Sequence, residues 1–188
     1  FFKAISSRSR FYEGEVKSWD TDELTVQVFR NHLIDGLTDN ADRELLVRIF
    51  SDPSDQEDQG GSLISLLSDE GLAVYNLVEG VAIEEFDGFF NQLSPETSEF
   101  LSLISPSTNI HQTKARILVM HDRADRLVPS EESRRLVEAV FERSDTYHTE
   151  FTFFQDEIQM HVDGDIVLGP LDFSKEAVKL FMHMYNIM

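Results

Sequence analysis

The spacing of apolar positions along this chain changes character once. Up to about residue 113 they recur at helical intervals between acidic turns. Leu24, Val28, Leu33 and Ile34 roughly keep one face behind Asp20-Thr21-Asp22-Glu23, which has the form of a capping box with Glu23 three residues after the cap. Leu45, Leu46, Ile49 and Phe50 form the stripe of a second helix over 41–50. Residues 51–61 are polar and carry proline and glycine, which reads as a loop. Ser68-Asp69-Glu70-Gly71 opens a helix to about Glu79, another covers 83–93, and Ser94-Pro95 starts a third with serine as cap and proline at the first helical position.

Beyond residue 113 the pattern alternates. Residues 114–120 read as a strand, with the unbroken apolar run Ile117 to Met120 marking it as buried. Residues 130–143 read as a helix, 150–154 as a strand, 156–170 as a loop and 173–185 as a final amphipathic helix. Strand, helix, strand, helix is the order of parallel α/β layering. The expected division is therefore a helical region over 1–113 and an α/β region over 114–188, with no internal repeat.

Charge narrows the partners. Sixteen Lys and Arg against 35 Asp and Glu leave a net −19. That surface repels phosphate backbones, so neither nucleic acid nor an anionic membrane is expected as a partner. No apolar run is long enough for an integral membrane segment, and Phe1-Phe2-Lys3 opens without a signal-peptide pattern, so a cytoplasmic piece of a longer protein is expected. The chain has no cysteine, which excludes disulfides and thiolate metal sites. No metal or cofactor is expected either. Asp52, Ser54 and Gln56 lack the glycine and terminal glutamate of a calcium loop, and no histidine pair has zinc spacing.

Asp125 and His161 are the pair that points to chemistry. Each follows a predicted strand, and in a parallel sheet the loops after successive strands emerge on one edge. A carboxylate there can accept a hydrogen bond from one imidazole nitrogen, fix the tautomer and leave the other nitrogen as a general base. The remaining histidines read as non-catalytic, with His111 in the linker before the strand and no partner visible in sequence. His121 ends the strand as a hydrogen-bonding residue, His148 sits solvated in a turn, and His32 and His183 pack on helices. An aspartate after a strand also commonly caps the next helix or makes a turn. Phe86, Phe89 and Phe90 are read first as packing and second as the lining of an acyl pocket.

The run Ile117-Leu-Val-Met-His121-Asp-Arg-Ala-Asp125-Arg-Leu-Val-Pro129, followed by Glu132-Ser133-Arg134-Arg135-Leu136, resembles the acid-strand motif of the α/β-hydrolase superfamily. Phe151-Thr-Phe-Phe154 and Met160-His161-Val162-Asp163 resemble the histidine strand and loop that come next. The resemblance implies Asp125 as triad acid, His161 as triad base, and the helices from Asp20 to Ile104 as an all-helical cap or lid. It implies an esterase- or lipase-like serine hydrolase acting on a small-molecule or lipid-like ester. Asp122 stands where the motif carries glycine and competes for the acid role. Asp125 ranks above it, because it holds the motif's spacing before Val128-Pro129. A G-x-S-x-G elbow does not occur, and Gly60-Gly61-Ser62-Leu63-Ile64 is the nearest string. The nucleophile would then lie upstream of Phe1. The alternative is a hydrolase-like binding or interaction module without catalysis.

Overall fold

A computed structural model describes residues 1–51, 60–143, 145–152 and 169–187. The chain is mixed α/β, with ten α-helices and two small sheets among the described residues. It forms two compact units. One comprises Phe2–Ser9 and Glu23–Ile104; the other comprises Phe1, Arg10–Asp22 and Ser105–Met188.

The first unit is helical. Its elements are α1 (Phe2–Ser7), α2 (Glu23–Gly36), α3 (Asn40–Ser51), α4 (Gly60–Ile64), α5 (Asp69–Glu79), α6 (Phe86–Phe90) and α7 (Pro95–Ile104). Leu33 and Ile34 of α2, Leu46 and Ile49 of α3, and Val74 and Leu77 of α5 are buried, as the apolar spacing predicts. Leu24 and Val28 of the same α2 stripe are exposed, so the buried face is narrower than that stripe.

A buried carboxylate ties this core together. Asp42 on α3 is 2% exposed and sits at the amino end of α5. Its Oδ1 accepts the Ser68 N–H at 2.9 Å, and its Oδ2 accepts the Ser68 hydroxyl. Ser68 Oγ in turn accepts the Gly71 N–H at 3.2 Å, the bond expected of an N-cap. An anion there faces the positive end of the helix. Ser94 caps α7 in the same way, through the Thr97 N–H at 3.2 Å.

The second unit carries both sheets. β1 (Ser9–Tyr12) and β2 (Glu15–Ser18) form a hairpin closed by Glu13-Gly14. Both turn residues have positive φ, 49° and 83°, as a two-residue primed turn requires. This hairpin departs from an all-helical 1–113. Asp20, expected at the cap of α2, instead pairs with Arg126 at 2.9 Å. Then follow α8 (Pro106–Asn109), a 3-10 turn (Ile110–Gln112), β3 (Ile117–Asp122), α9 (Ser130–Glu138), β4 (Thr146–Phe151) and α10 (Pro170–Tyr185).

β3 and β4 pair in parallel, with Ile117 opposite Thr146 and Asp122 opposite Phe151. Their carboxyl ends therefore share one edge. β4 begins four residues before the predicted 150–154, because Thr146 to Thr149 carry the ladder opposite Ile117 to Met120. Ile117, Leu118 and Val119 are half-buried and Met120 is exposed, so the strand is not the fully buried one its composition implies. α9 ends five residues before Arg143, in turns stabilised by Arg143, whose guanidinium holds the Thr113 and Ala115 carbonyls and Asp145.

Candidate functional site at the carboxyl edge of the parallel strands

The loop after β3 is organised by its two aspartates. Asp122, buried at the strand end, accepts the Ala124 N–H on Oδ1 at 2.7 Å. Asp125 Oδ1 accepts two backbone amides, Leu127 at 2.7 Å and Val128 at 3.0 Å. Its Oδ2 lies 3.4 Å from His121 Nε2. That same nitrogen is 2.9 Å from the Val128 carbonyl. Both neighbours of Nε2 are acceptors, so Nε2 carries the proton and Nδ1 keeps the lone pair in the neutral ring.

The electrostatics follow from this geometry. Burial opposes ionisation of His121, but the Asp125 carboxylate and the Val128 carbonyl outweigh it and raise the imidazole above its ordinary value. Burial likewise opposes ionisation of Asp125. The His121 hydrogen bond and the two loop amides outweigh it, and the carboxyl is lowered. Asp125 is thus held ionised, with fixed orientation, at the edge where both strands end. It can orient an imidazole, and the one it orients among the described residues is His121. His161 and the run Asp163-Gly164-Asp165 lie outside the described residues, as do residues 52–59 of the acidic loop.

Sequence spacing gave no sign of a second cluster beside this loop. Glu150 on β4 receives Arg134 of α9 through Nε and through Nη2 at 2.9 Å, and Arg123 through Nε at 2.9 Å. Despite partial burial, these arginines hold its carboxyl down at about 2. The backbone carbonyl of Glu150 accepts Lys179 Nζ of α10 at 3.2 Å, and Lys179 also pairs with Glu176 at 2.7 Å. The pattern spans a loop, a strand and two helices, so only the register of β4 against β3 makes it visible.

His148 is not in a solvated turn. It lies on β4, half-buried, with Nε2 3.1 Å from Ser133 Oγ, and burial lowers its pKa. His183 is 5% exposed and its Nδ1 meets Thr149 Oγ1 at 2.9 Å. His32 is exposed and stacks on Phe100. Phe86 is buried and stacks on Phe90, which is the packing role. Gly60–Ile64 is a short helix and not a strand-to-helix elbow.

No helix among the described residues is long and apolar enough to cross a membrane. No protein-family model, curated protein or solved structure matches the chain.

Proposed function

We propose that this chain supplies the acid and histidine strands of a serine hydrolase of the α/β-hydrolase fold, acting on a carboxylic ester. One observation carries the reading. Asp125 is fixed in its ionised form, by two loop amides, at the shared carboxyl edge of a parallel strand pair. Acid and histidine on the ends of neighbouring parallel strands is the arrangement the Ser-His-Asp order of this superfamily needs. In this scheme Asp125 orients His161. The base then takes the proton of a serine supplied from outside these 188 residues and later returns it to the leaving alcohol. Residues 1–113 would serve as cap or lid.

A specific observation favours the alternative, a hydrolase-like binding or interaction module. Asp125 Oδ2 already faces an imidazole, that of His121, at 3.4 Å. An acid committed to its own loop is a structural acid.

A fluorophosphonate probe on the natural protein containing this chain separates the two. The catalytic reading expects a labelled serine and a loss of at least about a hundredfold in labelling rate in Asp125→Asn and in His161→Ala. It fails if no serine is labelled, or if both variants label at the wild-type rate.

A further inference from the structure

We draw no further inference here: the strongest candidate, the cleft of about 290 Å³ between the β1–β2 hairpin and α9, carries nothing, because Arg10, Lys17 and Arg134 in its lining are matched by Glu13, Glu15 and Glu131 and select no ligand charge, and its buried atoms without a hydrogen-bond partner among the described residues, Arg10 Nε and Glu131 Oε2, are closed to solvent and to any ligand.

Discussion

Replacing Asp125 separates the two tasks its carboxylate performs. Oδ1 caps the Leu127 and Val128 amides, and Oδ2 faces His121 Nε2. Asparagine can keep the first task, because its amide oxygen accepts the same two N–H groups. It loses the charge that favours protonated His121. Alanine loses both tasks and leaves two amides without their acceptor. Hydrogen bonds to a charged group are worth about 1.5–3 kcal/mol each when buried, and water replaces part of that in a half-exposed loop. Asp125→Ala should then cost about 2–4 kcal/mol and Asp125→Asn about 1 kcal/mol, read from urea unfolding midpoints at constant slope.

The pH dependence gives a second readout of the same variants. Asp125 is lowered from 3.8, so its contribution is full above 3.8 and is lost as pH falls through its depressed folded value. His121 is raised from 6.5, so its contribution is full below 6.5 and is lost as pH rises through its elevated folded value. The pair therefore stabilises most between 3.8 and 6.5. Proton NMR of the His121 ring should show a midpoint above 6.5 in the wild type that drops in Asp125→Asn. Equal destabilisation by Asn and Ala, or an unmoved His121 midpoint, refutes the assignment of separate tasks.

Other changes have defined outcomes. Gly71→Ala would place a Cβ 2.5 Å from the Asp42 Cγ, so the overpacking penalty of about 1–3 kcal/mol exceeds the ~1 kcal/mol helix gain and thermal stability should fall. Glu150→Gln removes the anion between two arginines and should cost about 2 kcal/mol in urea unfolding, between an exposed pair and a buried one. Because Glu150 is lowered from 4.5 to about 2, its stabilisation is full above 4.5 and disappears as pH falls through 2, and an acid titration of Glu150→Gln should lack that component. His148, lowered from 6.5, should start to destabilise the fold as pH falls below 6.5, opposite in sign to His121, and ring NMR should show the two midpoints on either side of that value.

Helices were legible where a local device marks them. Ser68 and Ser94 cap the helices their sequence context assigns to them, and the apolar positions Leu33, Leu46 and Ile49 are buried as spaced. The hairpin over 9–18 was not legible from hydrophobic pattern, since none of its four β2 residues is buried and the pairing rests on the turn conformation of Glu13-Gly14. The Asp20 cap failed for a different reason. Helix α2 begins at Glu23, so Asp20 lies outside its cap position, and its carboxylate pairs with Arg126. Asp125 as an organising loop acid was readable from Val128-Pro129 spacing. Its attachment to His121 was readable only as a possibility of i, i+4 proximity that the turn had to realise.

By itself the sequence determined the helical character between residues 23 and 104, the strand-helix-strand order after residue 113, and the aspartate-bearing loop at the end of β3. These follow from spacing within a few residues, where backbone geometry alone decides which side chains share a face. Only tertiary structure decided which residues meet across β3 and β4. The register that sets His121 opposite Glu150 brings Arg123 and Arg134 onto the Glu150 carboxylate and Lys179 onto its backbone carbonyl. Pairing between strands is fixed by hydrogen bonds and packing among segments distant in the chain, and spacing within one strand does not name its partner residues.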